Sequence, residues 1–240
     1  MQLSGSNTAS QARDRLIVAL DVPSVDEAKA LIEKLGDSVG VYKIGLELLS
    51  SGGFDLARDL ARQGRSVFVD AKLLDIEATV ERATAVIAES GAAFLTVHAV
   101  DRKTIAAAVR GRGDSKLKLL GVTVLTNLSR ADLAEQGIDE APLAVVQRRA
   151  MMARDGGFDG IIASGQEARA LRERLRQVLI VTPGIRPAGA EKQDQTRVVT
   201  PEAAIKAGAD YLVVGRPITR ASDPRGAAEA IVAEIDAASA

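Results

Sequence analysis

The chain has 240 residues, 47% of them apolar, and a formal net charge of -1. That length suits one large domain or two small ones, and the near-zero charge carries no signature of a nucleic-acid or anionic-membrane partner. With no cysteine and one histidine, His98, disulfides, thiolate chemistry, cysteine-based zinc sites and His-pair metal sites within one chain are excluded.

The first stretch, "MQLSGSNTASQARDR", is polar and lacks an apolar h-region, so residues 1–13 read as a loose tail and not as a secretory signal. One domain is expected over 14–240. No apolar stretch approaches about 18 uninterrupted residues, so no membrane span is expected, and a cytoplasmic protein is the default. The core must be aliphatic, because there is no Trp, two Tyr and four Phe.

Along the chain, β-rich runs alternate with amphipathic ones. "RLIVALDV" (15–22) precedes "SVDEAKALIEKLG", where Val25, Ala28, Leu31, Ile32 and Leu35 recur at helical spacing. Ser24 can cap that helix and Gly36 can end it. "GVYKIG" (40–45) leads to the helical "GFDLARDLARQG", and "SVFVDAK" (66–72) to "EATVERATAVIAESG". Then come "FLTVHAV" (94–100), a loop at "VRGRGDSKLK" (109–118), "LLGVTVLT" (119–126), "GIIAS" (160–164) and "VLIVTPGI" (178–185). A helical "PEAAIKAGAD" precedes "YLVVGRPI" (211–218), and "DPRGAAEAIVAEIDAA" follows it.

Strand–helix alternation implies a parallel sheet. About eight such repeats in about 225 residues match a single-domain α/β fold, the (β/α)8 TIM barrel. An open doubly wound sheet is the runner-up. It would usually show a Gly-rich turn after its first strand, and "LDVPSVDE" has no GxGxxG.

In a barrel, chemistry sits at the C-terminal ends of the strands. Here those ends carry Asp21, Lys43, Asp70 with Lys72, His98, Thr126 and Ser164, and Asp75 follows strand three. Residues i and i+2 of a strand share a face, so Asp70 and Lys72 are expected to project together, with Phe68 one layer lower. Asp21 shares its face with Ala19 and Ile17. Taken singly, each charge reads as a solvated rim residue, and His98 as a hydrogen-bonded core residue. Two Asp–Lys sets on three consecutive strands read instead as one mouth where opposite charges offset each other's desolvation.

The last strands carry "TPGIRP" (182–187) and "VGRPIT" (214–219). Barrels often bind phosphate with the loops after strands seven and eight, through backbone N–H groups and a helix N-terminus. Gly184 and Gly215 allow close backbone approach, and Arg186 and Arg216 offer guanidinium forks. The polar run 186–199 between them is long for a compact domain and reads as a lid. The expected substrate is a phosphate monoester bound without a metal.

"LDV" (20–22), "YKIG" (42–45), "DAKLLDI" (70–76), "TVHA" (96–99), "TPGIRP" (182–187), "DQTRVVTP" (194–201) and "VVGRPIT" (213–219) closely resemble the orotidine 5'-phosphate decarboxylase family. The match runs from strand one to strand eight. The resemblance implies a homodimeric barrel that converts orotidine 5'-monophosphate to uridine 5'-monophosphate and CO2 without a cofactor. It implies that Lys43, Asp70, Lys72 and Asp75 form the charged catalytic network. Asp75 would act in the partner's site, accompanied by Ile76 and Thr79. It further implies ribose contacts from Asp21 and Lys43, base contacts from Ser164 and Pro183, and another substrate contact from Thr126. Arg186, Gln195, Gly215 and Arg216 take the phosphate and closing-loop positions.

Two readings compete with it. Metal-dependent sugar-phosphate lyases and decarboxylases share the D-x-K-x-x-D strand, but they resemble this chain less at strand two, where their metal-binding Glu is replaced by Lys43. A non-catalytic phosphate-ligand-binding barrel would be marked by a broken tetrad, and here the tetrad is whole. Asn127 stands where the family often has a small polar residue.

Overall fold

In the computed structural model, residues 12–187 and 199–239 are described. Eight parallel strands close into a barrel in sequence order, β1 paired with β8. The strands are β1 (Leu16–Ala19), β2 (Val41–Gly45), β3 (Ser66–Leu73), β4 (Phe94–His98), β5 (Lys118–Val122), β6 (Gly160–Ile162), β7 (Leu179–Thr182) and β8 (Tyr211–Val214). Between them run α1 (Val25–Leu35), α2 (Phe54–Arg62), α3 (Glu77–Glu89), α4 (Arg102–Arg112), α5 (Arg130–Glu135), α6 (Pro142–Asp155), α7 (Gly165–Arg172), α8 (Pro201–Lys206) and α9 (Arg216–Thr219). α10 (Pro224–Ser239) follows. None of the described helices is long and apolar enough to cross a membrane.

The expected strands ran too far at their C-terminal ends. β5 stops at Val122, not Thr126, and β8 at Val214, not Ile218. The reason is that Val124 and Leu125 are apolar because they line the barrel mouth, not because they join the ladder. The stretch 109–118 is also only partly a loop. α4 continues to Arg112, capped by Asp101 Oδ1 accepting from Thr104 N–H at 2.8 Å. Gly111 lies inside that helix because a Cβ there would collide with the Glu81 carbonyl of α3. Ser24 caps α1, and Gly36, at φ 54, ends it.

Pleating divides the strand residues between two cores. Ile17, Ala19, Val41, Phe68, Phe94, Leu120, Val181 and Val213 pack inside the barrel. Their neighbours Leu16, Val18, Tyr42, Ile44, Val67, Val69, Leu95 and Val97 pack outward under the helices. Each buried aliphatic or aromatic side chain contributes roughly 1.5–3 kcal/mol. Phe94 plugs the lower barrel edge-on between Phe68 and Tyr211, with centroids 6.0 and 5.2 Å away.

The N-terminal ends of the strands carry a repeated clasp. Asp159, just before β6, accepts from Leu119 N–H of β5 at 2.9 Å and from Arg112 at the end of α4 at 2.8 Å. Asp210, just before β8, accepts from Ile180 N–H of β7 at 2.7 Å and from Arg172 at the end of α7 at 2.5 Å. Arg15 adds donors to the Asp210 and Ala209 carbonyls across the β1–β8 seam.

Candidate active site

The C-terminal mouth opens into a cavity of about 350 Å³, walled by residues of all these strand ends except β4. Its charged floor comes from β1 to β3. Register sets Ala19 beside Lys43, Lys43 beside Phe68, and Gly45 beside Asp70, all facing inward. Lys43 Nζ sits 3.0 Å from Asp21 Oδ1 and 3.2 Å from Asp70 Oδ2. Lys72 Nζ sits 2.7 Å from Asp70 Oδ1. The charges therefore alternate Asp21, Lys43, Asp70, Lys72 across the floor.

Burial alone would push the Lys43 ammonium down, but Asp70 and Asp21 outweigh it and the net direction is up. Burial alone would push the Asp70 carboxyl up; Lys43 and Lys72 outweigh it and hold it below the ordinary carboxylate value. Both groups therefore stay ionised at neutral pH, each compensated by its partner. His98, at the end of β4, is pushed down by burial and by the nearby Lys72 and Arg149 charges, against Asp70.

Lys72 does not reach the floor by regular pleating. The β3–β4 pairing slips between Val69 and Leu73, and Lys72 adopts φ 47. Among the described residues it is the only non-glycine with positive φ. A left-handed conformation costs a side-chain-bearing residue roughly 1–2 kcal/mol. A bulge of this kind re-aims a side chain beside a site. Asp70 and Lys72 therefore meet because the strand bulges, and not through the i, i+2 alternation of a straight strand.

Pro183, Gly184 and Arg186 after β7 and Gly215 and Arg216 after β8 line the same cavity, as does Thr126 after β5. Arg186 is largely buried and donates to the Ile185 carbonyl at 2.9 Å. Gly184 has φ 76, a turn that suits glycine. Apolar walls come from Leu46, Phe68, Val122, Leu125 and Ile162. The cavity thus combines a charged floor, apolar walls and two guanidinium groups.

Some expected residues stand apart. Asp75 is exposed beyond β3 and accepts from Ile76 N–H at 2.6 Å. With Thr79 it lines a separate recess, not the main cavity. Leu74 and Ile76 beside it are 54% and 72% exposed. Ser164 is fully buried at the start of α7, where its N–H donates to Glu167 at 2.9 Å, and it is not among the residues that line the cavity. Gln195 and most of the 186–199 run lie outside the described residues. Among the described residues no cluster of His, Asp and Glu is arranged as metal ligands would be.

Two residues of the site carried no signal of their own. Thr96 is a buried β4 residue whose hydroxyl donates to Asp70 Oδ1 at 2.8 Å. Gly45 leaves room for the ion pair: a Cβ there would stand 2.9 Å from both Asp21 Oδ1 and Lys43 Nζ. The glycine of "YKIG" could have raised the second, since a strand glycine marks close approach.

The model of the orotidine 5'-phosphate decarboxylase / HUMPS family matches residues 14–231. An orotidine 5'-phosphate decarboxylase of Rhodopseudomonas palustris (strain BisB5) is 56% identical over 93% of this chain and 95% of its own. That of Caulobacter vibrioides (strain NA1000 / CB15N) is 52% identical over 93% of this chain and 98% of its own. The crystal structure of orotidine 5'-phosphate decarboxylase from Lactobacillus acidophilus superposes with a TM-score of 0.82 at 39% identity. It covers 92% of this chain and 98% of that one.

Proposed function

The chain belongs to the orotidine 5'-phosphate decarboxylase / HUMPS family, and we propose that it is a carboxy-lyase converting orotidine 5'-monophosphate to uridine 5'-monophosphate and CO2. This is the closing step of pyrimidine nucleotide synthesis. The observation that carries the reading is the alternating Asp21–Lys43–Asp70–Lys72 floor sharing one cavity with two guanidinium groups.

In this reading the substrate phosphate lies against Arg186 and Arg216, with Gly215 giving backbone access and Gln195 as a further phosphate contact. Asp21 and Lys43 hold the ribose hydroxyls. Thr126, Ser164 and Pro183 face the base. The C6 carboxylate is then directed at Asp70 and Lys72. The C6–carboxylate bond breaks, the electron pair stays on C6, and CO2 leaves. The Lys72 ammonium stabilises that carbanion and transfers a proton to it; solvent later returns the proton to the amine. Phosphate contacts remote from C6 supply binding energy for closing the site.

The reading needs neither metal nor organic cofactor. Lys43 Nζ already stands between the two carboxylates that a divalent cation would seek. It also takes the active unit to be a homodimer in the cytoplasm. Asp75, Ile76 and Thr79 would cross into the partner's site, and the exposed Leu74 and Ile76 support a covered surface there.

The test is decarboxylation of orotidine 5'-monophosphate by purified protein, followed by the fall in orotate absorbance with and without excess EDTA. Turnover unaffected by chelation is expected. No turnover would refute the activity, and loss on chelation would refute the metal-free mechanism.

A further inference from the structure

We propose that Thr96 is a positioning residue for this reaction: its buried hydroxyl holds the Lys72 backbone in the bulged conformation that keeps Nζ on Asp70. The inference rests on the decarboxylase reading above for its kinetic consequence, and on geometry alone for its structural one.

From Val69↔Leu95 to Leu73↔Val97, β3 advances four residues while β4 advances two. The surplus is the bulge, and it displaces Lys72 from the regular ladder. The Lys72 N–H donates to Thr96 Oγ1 at 3.0 Å. A hydroxyl has one proton, and Thr96 directs it to Asp70 Oδ1 at 2.8 Å. The same oxygen accepts from Lys72 Nζ at 2.7 Å. Lys72 is therefore tied to one carboxylate oxygen at both of its ends, directly through the ammonium and indirectly through its amide and the threonine.

Three features make Thr96 the constraint and not a bystander. It is fully buried, so water has no access to replace the hydroxyl. Its β-branched side chain is stiff at χ1, which fixes the oxygen in space. And φ 47 at Lys72 is a conformation a lysine leaves unless something holds it. The threonine hydroxyl supplies an acceptor for the Lys72 amide at that φ. Its hydrogen bond to Asp70 also favours the ionised carboxylate.

The experiment compares Thr96→Ser with Thr96→Ala, which differ only in the oxygen, and adds the near-isosteric Thr96→Val. Displacing a catalytic group by about 1 Å costs on the order of 100-fold in rate. Thr96→Ala and Thr96→Val are expected to lose roughly 10- to 100-fold in kcat with little change in KM. Thr96→Ser should recover at least about tenfold of that. The acid limb of the kcat/KM profile should move up in pH in Ala and Val but not in Ser. If Val does not fold, the Ser–Ala pair alone decides. Equal kcat for Ser and Ala, with the wild type active, would overturn the inference while leaving the decarboxylase reading intact. An inactive wild type would instead refute that reading. Crystallography of Thr96→Ala then still decides the positioning role, because Lys72 remaining near φ 47 on Asp70 would overturn it.

Discussion

Lys43 Nζ and Asp70 Oδ2 stand 3.2 Å apart with side chains only 8% and 11% exposed, so each is the other's chief compensation for lost water. Their pairing accounts for charges set directly above a barrel layer of Ile17, Val41, Phe68, Phe94, Leu120, Val181 and Val213.

Removing one member should therefore destabilise the fold. Lys43→Met leaves Asp21 without its ammonium and Asp70 with only Lys72 and Thr96. Breaking a buried pair costs roughly 3–5 kcal/mol; with Asp70 still held by Lys72, about 3 kcal/mol is expected. Urea denaturation measures it, and unchanged stability would contradict the compensation argument.

The pH dependence follows with opposite signs. The folded Asp70 carboxyl lies below its ordinary value of 3.8, so its stabilisation is present above that value and is lost as pH falls through the folded one. The folded Lys43 ammonium lies above its ordinary 10.5, so its contribution is complete below 10.5 and is lost as pH rises through the folded value. Denaturation curves from pH 5 downward should steepen less in Asp70→Asn than in wild type. Parallel curves would remove Asp70 from the acid limb.

Gly45→Ala should damage turnover more than folding. Its Cβ would crowd both Asp21 Oδ1 and Lys43 Nζ, and those are movable side-chain ends. A loss of about tenfold in kcat/KM is expected from the displaced pair, with a melting temperature within a few degrees of wild type. Kinetics and a thermal melt on one sample distinguish the two.

Gly111→Ala should do the reverse. There the obstacle is the Glu81 backbone carbonyl, which has no freedom to turn aside. Overpacking of this kind costs roughly 1–3 kcal/mol, and kcat should be unchanged because α4 carries no residue of the mouth. An unaltered melting temperature would mean that α3 and α4 separate without penalty.

A shared-site dimer, as proposed above, makes a complementation prediction. Lys72→Ala and Asp75→Asn proteins should each be inactive. Random exchange of their subunits makes half the dimers mixed, each with one intact site, so activity should return to about a quarter of wild type. Mixtures that stay inactive would confine Asp75 to its own subunit, and an active Asp75→Asn protein would deny it a catalytic role.

Much of this was legible in the sequence because polar groups at apolar strand ends are costly and hence informative. Asp21, Lys43, Asp70 and Lys72 converge on one floor, as their positions after β-rich runs suggested. What escaped was conformational. Nothing in "DAKLL" marks Lys72 for a left-handed backbone, since alternation presumes a regular strand. Thr96 looked like any β-branched strand residue, because its role comes from a slip between two strands and not from its neighbours in sequence. The end of α4 was hidden by Gly111, a glycine that serves packing where composition suggested a turn.

The Asp159 and Asp210 clasps lie at the opposite end of the barrel from the cavity. Each ties two neighbouring strands and the end of a helix through one carboxylate, with no atom in the mouth. Architecture and chemistry are thereby assigned to different poles of the molecule. Mouth positions outside the Lys43–Asp70 pair can be screened without loosening strand closure, whereas a library built on Arg112, Asp159, Arg172 or Asp210 would sample unfolded protein before it sampled new reactions.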